Sequence, residues 1–338
     1  MRIREGEVAP AEAVILVRTG EQTRVFEQEL RRKGVPYELI GSRSFFDRRE
    51  VKDVMAFLRV LVDPDDDIAL LRIANVPPRG LSAHAVEQAR TSAAAAGHGL
   101  WRELLAFRAA GRLSNAAAAG VGAIERLVAL RDTAGQKPAA DVLTAVLEMT
   151  GYRQFLAKEY EDPQEQESRW GYVEELVNAL AEHERSRRGR REFATVVRDF
   201  LDELVLDVQE AERFREDKPR GNVLRLMTLH AAKGLEFDCV WMVGMEEGLL
   251  PHHRSLGDGL DAIAEERRLC YVGVTRAKKR LSLSLCLTRM KWGKSRPCRP
   301  SRFLYELTGQ AEKFTEQPPE QGRQPAARKP AARKSARR

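Results

Sequence analysis

The string TLHAAKGLEF, Thr228 to Phe237, decides how this chain folds. It closes the aliphatic run Val223 to Leu229, which reads as a β-strand. It then sets His230, Lys233 and Glu236 around Gly234, on a loop at the strand's carboxyl end. Open α/β sheets bind ligands at such loops. Downstream, Val240 to Val243 and Leu281 to Leu287 read as further strands. Between them EERRLCYVGVTRA, Glu265 to Ala277, reads as a helix over about residues 262–273 that carries Arg267 and Arg268 and ends near Thr275 and Arg276.

Upstream the same alternation appears once more. Val14 to Val17 predicts a strand, and Glu21 to Lys33 predicts a helix with Val25, Phe26, Glu29 and Leu30 at helical spacing, stopped by Gly34 and Pro36. Tyr37 to Ile40 offers another strand. Asp47 reads as the cap of a helix with the stripe Val51, Val54, Met55, Leu58 and Leu61, ending near Asp63-Pro64. From there to about Gly221 no strand pattern occurs, and amphipathic helices and alanine runs (93–96, 116–119) follow one another. Sheet-forming segments flanking some 150 residues of helix predict one α/β parallel-sheet lobe interrupted by an all-helical insert. The expected divisions are 1–62 and 221–310 for the lobe, 63–220 for the insert and 311–338 for a disordered basic tail.

Composition narrows the function classes. The 338 residues include 57 Lys and Arg against 50 Asp and Glu, for a net charge of +7. Seven of the basic residues and no acid lie in 321–338, so the remainder balances at 50 against 50. Nucleic-acid binding by the body must therefore come from locally placed groups, whereas the tail reads as a solvated polycation. Cys239, Cys270, Cys286 and Cys298 form no Cys-x-x-Cys pair, so neither a zinc site nor a disulfide scaffold is expected. Apolar runs fall far short of the roughly 20 residues of a membrane span, and a cytoplasmic protein is expected.

The two strings together resemble motifs V and VI of superfamily 1 DNA helicases of the UvrD, Rep and PcrA type. ILVRTGEQTR at 15–24 resembles motif IV, and FFDRREVKD at 45–53 the segment that follows it. NVPPRGLS at 75–82, MTGYRQFL at 149–156 and PSRFL at 300–304 resemble the start, the middle and the end of the family's inserted domain. The likeness runs in family order over about residues 3–307. It implies a RecA-like second lobe with a 2B-type insert, the half of a two-lobed motor that closes over ATP with Mg²⁺. The first lobe's phosphate loop is not in these residues: the only Gly-Lys-Ser is Gly293-Lys294-Ser295, and Thr288 stands where G-x-x-x-x-G-K-S needs its first Gly. Met1 falls where the second lobe begins in the family, so a truncated, split or separately expressed half is expected, paired with a separate or missing N-terminal helicase lobe.

Roles follow from the resemblance, residue by residue. Arg276 is the arginine that reaches the γ-phosphate, and Arg18 a second contact. Glu236, beside Gly234, takes the ribose side of the nucleotide. Val17 stands where relatives usually carry an adenine-stacking Tyr. Thr228 and His230 match positions along the single-strand track, where they can bond phosphate oxygens without reading sequence. Arg79-Gly80-Leu81-Ser82 resembles the family's turn that grips duplex backbone at single-strand/duplex junctions, with Ser82 in place of the second Gly. Phe45 and Phe46 read as core. The principal reading is thus part of an ATP-dependent 3′ to 5′ DNA helicase, inactive without its ATP-binding lobe. The other is a non-catalytic module that holds DNA or a partner through its insert and tail.

Overall fold

Ala13–Val17 is apolar at every position and buried along its whole length, which fits the centre of a sheet covered on both faces. The computed structural model describes residues 8–314 apart from 42–43, 188, 190, 217–220 and 258, and for 207–216 the backbone only. The strands are β1 (Ala13–Val17), β2 (Tyr37–Ile40), β3 (Leu224–Thr228), β4 (Phe237–Val243) and β5 (Ala277–Ser284). They form one five-stranded sheet in the order β2-β3-β1-β4-β5. Every neighbouring pair is parallel. The expected α/β parallel lobe is therefore present, and chain from both sides of the helical segment builds it.

The helices in chain order are α1 (Thr23–Arg32), α2 (Arg49–Val62), α3 (Asp67–Ile73), α4 (Ala83–Ala96), α5 (Leu100–Ala109), α6 (Asn115–Ala134), α7 (Ala139–Thr150), α8 (Tyr152–Glu159), α9 (Pro163–Ser186), α10 (Phe193–Glu216), α11 (Leu260–Val274) and α12 (Arg302–Leu307). Between residues 63 and 216 no strand occurs among the described residues. Asp47 does not cap α2: the helix starts after Arg48, which makes no side-chain cap bond. The apolar stripe of α2 is buried, but in the core of the helical body with α6, α9 and α10 rather than under the sheet. Asp53, 3% exposed, ties α2 to α3 and α8 by accepting from Arg72 and, at 2.8 Å, from the Tyr152 hydroxyl. Phe45 and Phe46 lie in the same core. Packing thus draws the helical body's edge earlier in the chain than Asp63-Pro64. The expected second connection, Pro219 to Gly221, lies mostly outside the described residues, as does the basic tail from residue 315 onward.

Sequence reading missed one element. After β5 the chain forms an antiparallel hairpin, β6 (Thr288–Lys291) and β7 (Lys294–Pro297), turning at Trp292 and Gly293. Its base is held by Glu246, a nearly buried carboxylate that pairs with Arg289 and accepts from the Cys286 amide at 2.8 Å. Its tip reaches the helical body. Asn178 of α9 donates to the Met290 carbonyl at 3.2 Å and accepts from the Gly293 amide at 3.0 Å, and Trp292 lies 5.2 Å from Trp170 between ring centres. A Cβ on Gly293 would stand 2.9 Å from the Ala140 methyl, so the tip is seated tightly. Helix α9 also takes Arg24 of α1 onto Glu175 at 2.6 Å, while His253 and Arg254 each approach Glu167 at 3.5 Å. Three groups of contacts thus join the helical body to the rest of the chain along this one helix.

Candidate functional site

The stretch that resembles motif V is a connector between the two ends of the sheet. Leu229 to Glu236 runs from the carboxyl end of β3 to the amino end of β4, passing through Gly234 at φ +84° without forming a helix. Thr228 and His230 therefore sit at the carboxyl edge, and Gly234 and Glu236 at the amino edge. Helix α11 covers the same span in the same direction, from the carboxyl end of β4 to the amino end of β5. Its first half brings Glu265 and Glu266 to the carboxyl edge, and its end delivers Arg276 to the amino edge, where the Phe237 amide donates to the Arg276 carbonyl at 2.9 Å.

At the amino edge the Arg276 guanidinium is already oriented. Nη1 donates to the Leu235 carbonyl at 2.8 Å, Nε to the Val272 carbonyl at 2.9 Å and Nη2 to the Thr275 hydroxyl at 3.0 Å. All three partners are neutral, so the positive charge is held in place without being cancelled. Glu236 and Gly234 are exposed beside it. Gly273, in the turn of α11 above Arg276, has no room for a side chain: a Cβ there would lie 2.9 Å from the Met242 sulfur. These expected nucleotide residues are thus brought together.

Arg18 is not among them. Leu16 is level with Met242 and Ala277 with Phe237, so Arg18 and Arg276 occupy opposite ends of the sheet. At about 3.3 Å per residue they are roughly 20 Å apart or more along the strands, too far to share one phosphate. The Arg18 fork is spent on Glu266, with Nη2 to Oε1 at 2.6 Å and Nε to Oε2 at 3.0 Å. Val17 is fully buried in the core, so this position offers no open face for stacking a base.

The carboxyl edge holds Thr228, His230, the Arg18–Glu266 pair and His252, whose amide donates to Glu266 at 3.0 Å. Thr228 uses its hydroxyl oxygen to accept from the Ala231 amide at 3.3 Å, fixing the turn that presents His230 to solvent. Burial and the Arg18 charge lower the proton affinity of His230, so its imidazole is neutral at physiological pH. His252 is shifted further, to about 4, by burial first and then by the charges of His253 and Arg18. The unfolded chain takes up this proton near pH 6.5 and the folded one only near 4, so the protein loses stability as pH falls between those values. Denaturant unfolding across that window is expected to show a loss of about 1–2 kcal/mol, after discounting for partial solvent contact, that His252→Gln removes. An equally steep fall in the variant would assign the acid lability elsewhere.

The Arg79 turn is present but faces differently from the expectation. Arg79 points inward, donating to the carbonyls of Ile73 and, at 2.9 Å, Val76, and burial lowers it to about 10. Gly80 adopts φ +75°, and a Cβ there would stand 2.8 Å from the Ala116 methyl, so α6 packs against the turn. Ser82 caps α4 by accepting from the Ala85 amide at 3.1 Å and stays exposed. Of the expected duplex-gripping residues, Ser82 and Gly80 meet solvent, while Arg79 closes the end of α3.

The parallel sheet is built from both sides of the helical segment, and the sequence comparison likewise matches chain on both sides of it. Residues 2–98 and 124–288 match the UvrD-like helicase C-terminal domain. The chain belongs to that family. Among its relatives, the ATP-dependent DNA helicase PcrA of Bacillus subtilis is 35% identical over 301 residues, covering 88% of this chain and 39% of that protein. The ATP-dependent DNA helicase Rep of Escherichia coli is 37% identical over 305 residues (87% and 43%), and UvrD1 of Mycobacterium tuberculosis 36% over 314 residues (89% and 40%). The chain therefore spans about two fifths of the length of these helicases. No described helix is long and apolar enough to cross a membrane, and no described cluster of His, Cys, Asp or Glu could hold a metal ion.

Proposed function

We propose that this UvrD-like chain is the second motor lobe of an ATP-dependent DNA helicase, acting in the cytoplasm with an ATP-binding first lobe and translocating 3′ to 5′ on single-stranded DNA. The observation that carries the reading is the motif V connector. Its amino end presents Thr228 and His230, and its far end supplies the Leu235 carbonyl that fixes Arg276. A shift of DNA at one edge is thereby linked through eight residues to the arginine at the other. Arg276 supplies positive charge to the γ-phosphate, Glu236 and Gly234 meet the ribose side, and the first lobe brings the phosphate loop and Mg²⁺. Arg18 is assigned to holding α11 against β1 through Glu266. Junction binding would use the exposed start of α4 at Gly80 and Ser82, with Arg79 as internal support.

The test is DNA-stimulated ATP hydrolysis by this chain combined with a matching first lobe, on the same polypeptide or supplied separately. Hydrolysis that appears with the first lobe, and unwinding of 3′-tailed but not 5′-tailed duplex, support the reading. DNA binding without either would favour the non-catalytic module. A finer result is expected at His230. Because its imidazole is neutral, His230→Ala should weaken single-strand binding by roughly 3- to 10-fold, the scale of one hydrogen bond, and leave the slope of log affinity against log salt unchanged. A flattened slope would show that His230 binds as a cation.

A further inference from the structure

The amino edge carries charged groups that the motor reading does not use. Strand β5 opens Ala277-Lys278-Lys279-Arg280, and its register with β4 shifts here, so that Lys278 and Lys279 both fall between the Phe237–Ala277 and Cys239–Arg280 pairs. Lys279 is engaged by Asp238 at 2.6 Å. Lys278 instead lies 3.8 Å from Oε2 of Glu236, with the lysine side chain 51% and the glutamate side chain 59% exposed. This separation is an ion-pair distance rather than a hydrogen bond. Oε1 of Glu236 has no partner among the described residues.

We propose that Lys278 is a positioning residue of the nucleotide site: it holds one oxygen of Glu236 so that the other faces the ribose hydroxyls of a nucleoside triphosphate. The inference rests on the reading of Gly234, Glu236 and Arg276 as that site. Two physical arguments support it. A carboxylate is a poor neighbour for a polyanionic ligand, and Glu236 with Arg276 alone sums to zero charge; Lys278 makes the trio +1, so the acceptor for ribose can sit beside triphosphate without repelling it. A glutamate that is free to rotate must also lose rotamer entropy when it takes up a hydroxyl, and an ammonium on one oxygen reduces that cost. Because both partners are open to solvent, the pair is accessible to a ligand rather than consumed in the core.

The experiment follows ATP and 2′,3′-dideoxy-ATP binding to the full 338-residue chain combined with a matching first lobe, through the amide resonances of Gly234 and Arg276. Lys278→Met is expected to weaken ATP about threefold, the scale of an exposed ion pair, and to leave the dideoxy nucleotide unchanged. Lys278→Arg should restore ATP binding, and Lys278→Met should add nothing in a Glu236→Gln background. Equal weakening of both nucleotides, or none of either, would overturn the assignment of Lys278. If wild-type binding survives Arg276→Ala and Glu236→Gln unchanged, the reading of this edge as a nucleotide site falls instead. No saturable binding of ATP by the wild-type chain together with its first lobe overturns both.

Discussion

Arg276→Ala is expected to reduce DNA-stimulated ATP hydrolysis by roughly two to three orders of magnitude or more in the chain combined with a first lobe. The magnitude follows from the task. Phosphoryl transfer is catalysed largely by positioned positive charge, and the Arg276 guanidinium is held by three neutral hydrogen-bond partners rather than spent on a carboxylate. The same hydrogen bonds predict that Arg276→Lys fails nearly as badly. An ammonium cannot reach the Leu235 and Val272 carbonyls and a phosphate together, whereas the planar fork presents five donors in fixed directions. Arg18→Ala should behave differently. It leaves Glu266, 6% exposed, without its cation and so should cost stability more than the chemical step. Steady-state rates beside melting curves separate the two, and full activity in Arg276→Lys would remove the phosphate role from that residue.

Gly293→Val is expected to detach the β6–β7 hairpin from the helical body, with a loss of about 2–4 kcal/mol in unfolding free energy. Valine is strained at the φ of +71° found here, and its Cβ would stand 2.9 Å from Ala140 and 3.3 Å from Ala181. Undocking also exposes Trp292, separates it from Trp170 and leaves Asn178, 7% exposed, without its two backbone partners. Denaturant unfolding followed by tryptophan fluorescence reads both effects. Labels on the insert and the sheet lobe should give one narrow distance distribution in the wild type and a broader one in Gly293→Val combined with Asn178→Ala. A broad distribution already present in the wild type would mean that the α9 contacts do not restrain the insert.

Much of the architecture was legible because it is written in local pattern. The five strands of the sheet were all foreseen, since each contains a short apolar or alternating run; only their ends moved, as when the run expected at Leu281 to Leu287 proved to be strand from Ala277 to Ser284. The helical middle was equally clear from alanine content and spacing. Local pattern failed where short segments are shaped by their neighbours. The β6–β7 hairpin reads as a polar, basic stretch, and its fold depends on Glu246 at its base and Asn178 at its tip, residues about 40 and 110 positions away.

The sequence by itself determined the lobe, its interruption and the membership of Gly234, Glu236 and Arg276 in one motif set, because strand alternation, helix spacing and short ordered strings are properties of neighbouring residues. Only the tertiary structure decided which of those residues meet. Arg18 and Arg276 both follow apolar runs and both match helicase strings, yet parallel register puts one at each end of the sheet. Arg79 stands in a turn that resembles a phosphate grip, yet the Ile73 and Val76 carbonyls at and just beyond the end of α3 take its guanidinium and draw it inward. In each case the direction of a long cationic side chain was set by whichever acceptor the fold placed within reach, and reach is a distance in space that sequence separation does not encode.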